Sequence, residues 1–179
     1  NGVVSFDLSS WADGNVTATL AVTDTAGNTA TVSGGAVDLD TTADSDNNLN
    51  LTAPDALIGA AEAATATFVV SGIDSDIVSG KIVVTDGTAI VEQALTIGTT
   101  TYGIDISSLA DGYLDAEIQV TDDAGNTKAV SKTDLLVIDQ SAPTASAQSA
   151  NYTENSTTND VLIDVAATDN DPVGVKFFR

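Results

Sequence analysis

Residues 6–33 read FDLSSWADGNVTATLAVTDTAGNTATVS and residues 104–131 read IDISSLADGYLDAEIQVTDDAGNTKAVS; at an offset of 98, without a gap, 16 of these 28 positions are identical. The match resumes after one inserted residue, setting LDTTAD (Leu39 to Asp44) against IDQSAP (Ile138 to Pro143). Self-similarity at a fixed spacing marks one structural unit used more than once. Here the unit is about 100 residues long.

The repeat has a period that identifies its structure. Leu114, Ala116, Ile118 and Val120 alternate with Asp115, Glu117, Gln119 and Thr121, and Val16, Ala18, Leu20 and Val22 alternate likewise in the first copy. One apolar face at period two is a half-buried antiparallel strand. Ala-Asp-Gly before each strand, and Thr-Ala-Gly-Asn or Asp-Ala-Gly-Asn after it, are turn chemistry. Trp11 and Leu109 share a repeat position and are expected to plug one end of the core. Further strands are expected at 65–71, 81–85, 89–97, 102–106 and 127–138, with Asp86-Gly87 as a hairpin turn. The segment AAEAATA at 60–66 is helix-like in composition but too short for a helix. Seven or so short strands in about 100 residues predict an all-β fold of tandem immunoglobulin-like β-sandwich domains in an extended array.

On this reading residues 1–42 are the C-terminal half of one domain, 43–142 a complete domain, and 143–179 the N-terminal part of a further Ig-like or cadherin-like domain. Half a sandwich leaves its own core uncovered, so the chain reads as a window on a longer polypeptide or as a fragment that borrows strands.

Composition narrows the chemistry. There are 26 acidic against 5 basic residues, a net charge of −21, while a hydrophobic fraction of 42% still permits a core. Such a charge does not neutralise phosphates and disfavours anionic lipid, so neither nucleic acid nor a membrane surface is an expected partner. It favours a hard cation such as Ca²⁺, held by several carboxylate and carbonyl oxygens; the alternative is that the acidic surface serves solubility alone. With no Cys, Met or His, disulfides, thiolate metal sites and thiol nucleophiles are excluded. No run approaches the roughly 20 apolar residues of a membrane span, so no membrane insertion is expected in this segment, and an export signal is expected outside it.

Three blocks together bring a family to mind: LADG…VTDDAGNT, VIDQSAP (Val137 to Pro143) and IGAAEAATATFVVSGIDSD (Ile58 to Asp76). Together they resemble the bacterial Ig-like repeats of giant adhesins exported by type I secretion, the biofilm-associated and RTX adhesin class. Residues 152–171, YTENSTTNDVLIDVAATDND, resemble the opening half of a cadherin-like domain. On that resemblance Glu154, Asp169 and Asp171 match acidic positions that bind calcium at a domain junction. The resemblance implies an extracellular, cell-surface extender, in which many domains in series hold an adhesive tip away from the cell and Ca²⁺ at the joints limits bending. Its partners would be neighbouring domains of the same polypeptide, and other copies of the chain if the cut ends pair.

Calcium candidates therefore fall where one domain meets the next. Asp122, Asp123 and Asn126 on the turn before the last strand, with Asp139 leaving it, are expected to pool with Glu154, Asp169 and Asp171. The first copy offers Asp24, Asn28 and Asp40, facing Asp44, Asp46, Glu62, Asp74 and Asp76. Pooling is needed because Ca²⁺ takes six to eight oxygens and no single loop has that many. Asp and Asn also populate turns for backbone reasons alone, which is the competing account of the Asp-Ala-Gly-Asn turns. Asp13, Asp86 and Asp111 read as plain turn residues, and the spacing in DSDNNLN at 44–50 fails an EF-hand.

Catalysis has little to work with. Lys81, Lys128, Lys132 and Lys176 show no nucleophile context, and one Trp with three Tyr is too few for sugar platforms beside paired carboxylates. No enzyme is expected. The alternative function is a ligand-binding or self-assembling filament or surface-layer module, in which unpaired strands meet another chain.

Overall fold

The computed structural model describes the backbone of residues 3–154 and 159–168 and the side chains of residues 3–144. The chain divides into two compact units, Asn1–Asp139 and Gln140–Arg179.

In the first unit, β1 (Gly14–Thr23) and β2 (Thr29–Leu39) form an antiparallel hairpin from Gly14 opposite Leu39 to Thr23 opposite Thr29. The second copy of the repeat adds β3 (Asn50–Thr52), β4 (Leu57–Gly59), β5 (Ala66–Ser71), β6 (Ile77–Thr85), β7 (Ile90–Ala94), β8 (Thr101–Ile104), β9 (Gly112–Asp122) and β10 (Thr127–Asp139). These make a five-stranded sheet in the order β4-β10-β9-β6-β7 and a three-stranded sheet in the order β3-β5-β8. Every pairing is antiparallel except β4 with β10, which runs parallel and joins the start of the domain to its last strand.

The alternation read from sequence sets the core. Leu114, Ala116, Ile118 and Val120 on β9 are all buried, and they meet Leu51, Phe68, Val70, Tyr102 and Ile104 from the opposite sheet. Phe68, Leu51, Ile82 and Ile118 are fully enclosed. Two all-β sheets closing on one apolar layer are the expected β-sandwich. The helix-like stretch holds only the short 3-10 turn Ala63–Thr65, and the sequence did not signal the three-residue strands β3 and β4.

The inserted residue of the repeat falls in a β-bulge that both copies share. In the first copy pairing jumps between Thr17 and Thr19; in the second it jumps between Lys132 and Leu136. The first copy turns this corner with Gly34 and Gly35, the second with Thr133, Asp134 and Leu135. Asp134 adopts a left-handed φ of 50°, and its N–H donates to Asp115 Oδ1 at 2.9 Å. A bulge absorbs an extra residue without flipping the faces on either side, so the inside-outside pattern survives the insertion.

Leu109 is 2% exposed and plugs the core as expected, but Trp11 is 56% exposed. The reason is that no second sheet covers β1 and β2 among the described residues. Leu20, Val22, Val32 and Val37 are exposed with it, and Phe6, Trp11, Val16 and Val37 help line an open groove of about 470 Å³.

In the second unit, β11 (Thr144–Glu154) pairs antiparallel with β12 (Asn159–Thr168), from Thr144 opposite Thr168 to Glu154 opposite Asn159.

Candidate metal centre

Strand direction decides which acids can meet. β9 and β10 pair from Thr127 opposite Thr121 to Ile138 opposite Gly112. At roughly 3.3 Å per residue, a strand of this length places its two ends about 40 Å apart. Asp122 and Asn126 therefore lie at one pole of the sandwich and Asp139 at the other. The expected pooling of Asp122, Asp123 and Asn126 with Asp139 is corrected: the residue that joins Asp122 is Asp40, leaving the preceding copy.

Carboxylate oxygens of Asp40, Asp76 and Asp122 lie within 4.8 Å of one another. Each comes from a different segment. Asp40 follows β2 and leads into the second domain, Asp76 ends the loop before β6, and Asp122 ends β9. Asp122 is 2% exposed. Its Oδ1 accepts from the Asn126 N–H at 2.7 Å and its Oδ2 from Asn126 Nδ2 at 2.7 Å. The same Nδ2 donates to the Asp40 backbone oxygen at 3.2 Å and to Asp40 Oδ1 at 3.3 Å. The Asp123 N–H donates to the Asp76 backbone oxygen at 3.0 Å and ties the two loops together.

The electrostatics are those of crowded like charge. The Thr42 amide, bonded to Asp40, works to lower its pKa, but desolvation and the charges of Asp122, Asp13 and Asp76 together raise it above the ordinary 3.8. Asp76 Oδ1 is buried and has no hydrogen-bond partner. A buried carboxylate oxygen left unpaired calls for compensation. Oxygens bound to one Ca²⁺ at roughly 2.3–2.6 Å lie no more than about 5 Å apart, so the spacing of the three carboxylates is compatible with a shared hard cation.

A second group, Asp44, Asp46 and Asp74, also has ligand atoms within 4.8 Å of one another. Its oxygens are heavily used inside the loop. Ser45 donates to Asp74 Oδ2 from N and Oγ at 3.0 and 3.1 Å, and Asn48 N–H donates to Asp44 Oδ1 and Asp46 Oδ1 at 3.1 and 3.2 Å. Lys128 Nζ stands 3.7 Å from Asp44 Oδ2.

The other candidates disperse. Asp24 holds the Asn28 N–H and Nδ2, both at 2.8 Å, repeating the Asp122–Asn126 turn on an exposed loop far from Asp40 along β2. Glu62 Oε2 accepts the Gly59 N–H at 3.2 Å beside the 3-10 turn. Glu62 and Asp123 join neither acidic group. Glu154 ends β11, its side chain outside the described part, and Asp169 and Asp171 lie outside the described residues.

Asp13 does more than the turn role expected of it. Its Oδ1 accepts from Thr41 N and Oγ1 at 2.8 and 2.5 Å, and its Oδ2 from Thr42 Oγ1 at 2.7 Å, which fastens the linker just after Asp40. The Ala-Asp-Gly signal points to a turn and cannot reveal a contact made 28 residues later. Asp86 does act as a turn residue, taking the Thr88, Ala89 and Ala110 amides at 2.8, 2.7 and 2.8 Å.

No curated protein sequence matches this chain. Among solved structures, a tetra-tandem repeat from the extending region of a large adhesion protein is 22% identical, over 94% of this chain and 49% of its own, with a TM-score of 0.45. A Ca²⁺-stabilized adhesin that helps an Antarctic bacterium reach out and bind ice is 24% identical over 79% of this chain and 36% of its own, with a TM-score of 0.40. A 1.5-MDa bacterial ice-binding adhesin is 25% identical over 57% of this chain and 35% of its own, with a TM-score of 0.38. The chain thus spans about half, or less, of each of those chains. The family model for bacterial Ig-like domains matches residues 8–41 and 41–140, so its two matches meet at the linker beside Asp40. With most of the chain covered and a β-sandwich in the second match, this protein belongs to the bacterial Ig-like domain family.

Proposed function

We propose that this chain is a calcium-stiffened spacer of a large bacterial cell-surface adhesin, projecting an adhesive region for cell-surface or cell–cell attachment and biofilm formation, without enzymatic activity. It is an extracellular segment whose partners are the neighbouring domains of the same polypeptide. Residues 43–142 form one complete Ig-like unit, 1–42 belong to the unit before it, and 143–179 open an Ig-like or cadherin-like unit after it.

The observation that carries this reading is the Asp40–Asp76–Asp122 group, built from the exit of one copy and two loops of the next. Ca²⁺ held there would neutralise three carboxylates and link the copies, with Asn126 aligning Asp40 and Asp122. The unpartnered Asp76 Oδ1 fits the same account. By the repeat, Asp139 stands where Asp40 does, and Asp169 and Asp171 serve the next joint with Glu154. Asp24 and Asn28 are the corresponding turn for a joint with a preceding copy.

The test is melting temperature and small-angle scattering of residues 1–179 in millimolar calcium and in chelator, in wild type and Asp122→Asn. Binding to the folded state raises stability by mass action. Calcium is expected to raise the melting temperature and narrow the distribution of dimensions in wild type, and to do less in the variant. Identical wild-type behaviour in calcium and chelator overturns the calcium role.

A second reading has its own observation, the uncovered apolar face of β1 and β2 around Phe6 and Trp11. A ligand-binding or self-assembling module would use that face. Concentration-dependent sedimentation separates the two, since a spacer stays monomeric.

A further inference from the structure

We propose that Lys128 is the built-in counter-ion of the Asp44–Asp46–Asp74 group, and that its ammonium keeps this group from taking up a metal ion, leaving Asp40–Asp76–Asp122 as the exchangeable cation site at this pole. The inference rests on the calcium reading of that second trio and adds a selectivity residue to it.

The two acidic groups have the same crowding but different surroundings. Both place three carboxylates with ligand atoms within 4.8 Å. The Lys81–Glu92 and Lys128–Asp44 ion pairs do not reach the Asp40 trio. Lys128 rises from β10 and its Nζ donates to Asn47 Oδ1 at 2.9 Å while standing 3.7 Å from Asp44 Oδ2. It is therefore held from two sides of the 44–48 loop. Asp44 is the carboxylate that most needs a cation, because its side chain is only 3% exposed. Its Oδ1 is already taken by the Asn48 and Leu49 amides at 3.1 and 3.3 Å, which leaves Oδ2 facing the ammonium.

A divalent ion entering this loop would meet a like charge within a few ångströms, and such repulsion is only weakly screened near a buried group. The repeat shows that the lysine is not a requirement of the strand. At the offset of 98 the first copy has Ala30 at this position. Removing the ammonium would leave the buried Asp44 carboxylate with its amide donors but without a counter-charge. Calcium is the cation such an oxygen-only group would then recruit.

Equilibrium dialysis against calcium measures the outcome as ions bound per chain of residues 1–179. Lys128→Met keeps the apolar stem and is expected to bind one more Ca²⁺ than wild type, an increment that Asp46→Asn on the same background removes. Lys128→Arg keeps the charge and is expected to match wild type. In chelator Lys128→Met melts lower than wild type, and calcium restores it. In wild type itself Asp46→Asn is expected to leave the bound calcium unchanged while Asp122→Asn removes one ion, a comparison that holds even if Lys128→Met does not fold. Loss of an ion in wild-type Asp46→Asn, or no increment in folded Lys128→Met, overturns the role of Lys128. Failure of Asp122→Asn to remove an ion overturns the underlying calcium reading instead.

Discussion

The side-chain nitrogen of Asn126 reaches the backbone oxygen of Asp40 at 3.2 Å, across 86 positions of sequence and from one copy of the repeat to the next. The same nitrogen holds Asp122 Oδ2 at 2.7 Å. One carboxamide thus aligns a linker residue with a buried carboxylate, and the joint is organised before any cation is considered.

Asn126→Ala removes a donor from buried Asp122 and the cross-copy bond together. Leaving a buried acceptor unpaired costs about 1–3 kcal/mol, so denaturant titration in chelator should show a loss in that range. The equivalent Asn28→Ala sits on an exposed turn where Asp24 stays hydrated, and should cost less. Equal losses at the two positions would contradict a special role for the Asp40 contact.

The raised pKa of Asp40 gives the apo protein a pH response of definite sign. A carboxyl whose folded value lies above its unfolded 3.8 binds protons more readily when folded, so its contribution to stability grows as pH falls from neutrality through the folded value. Asp86 works the other way: the Ala110, Ala89 and Thr88 amides lower its pKa, and its stabilisation is complete above 3.8 and lost as pH falls through the folded value. Glu117, lowered by Ser131 and Gln119, begins to lose its share below 4.5. Comparing melting curves of wild type and Asp40→Asn in chelator isolates the first effect. Wild type should gain on the variant as pH falls toward 3.8.

The covered and uncovered halves of the repeat should answer mutation differently. Phe68 is fully enclosed, and Phe68→Ala should cost about 3–5 kcal/mol by transfer and cavity terms. Val32 is 67% exposed on the β1–β2 face, and Val32→Ala should fall within about 0.5 kcal/mol. Trp11, the only tryptophan, should emit at a water-like wavelength and be readily quenched by acrylamide. Blue-shifted emission would mean that something covers this face.

Much of this was legible because period-two alternation and turn chemistry are local. Leu114 to Val120 announce a buried face, and Asp86-Gly87 announces a turn, from neighbours alone. β3 and β4 leave no signal because three residues are too few to show a period. The joint is legible only in part: Asp40 and Asp76 read as two sides of one junction, and their carboxylates group with Asp122, which the sequence places at the next junction. Asp122 and Asp139 bracket β10, a strand that carries the chain from one pole of the sandwich to the other, and nothing local in the sequence gives that direction. Asp13 reads only as a turn residue, because its bonds to Thr41 and Thr42 depend on where the β1–β2 hairpin closes.

Gly72 offers a test of how the acidic loops are held apart and together. Its φ is +73°, and a Cβ there would run into the Asn48 backbone oxygen. Both the left-handed backbone and the contact exclude a side chain, and the obstacle is backbone that cannot swing away. Gly72→Ala must push the 44–48 loop off the loop that carries Asp74, so the Ser45–Asp74 bonds and the Lys128–Asn47 bond should weaken together. Strain of this kind costs about 1–3 kcal/mol, to which the lost bonds add. Hydrogen exchange should show faster exchange at Ser45 and Asn48 in the variant, with Ile118 and Phe68 unchanged. Protection lost evenly across the domain would instead mean that Gly72 supports the whole sandwich.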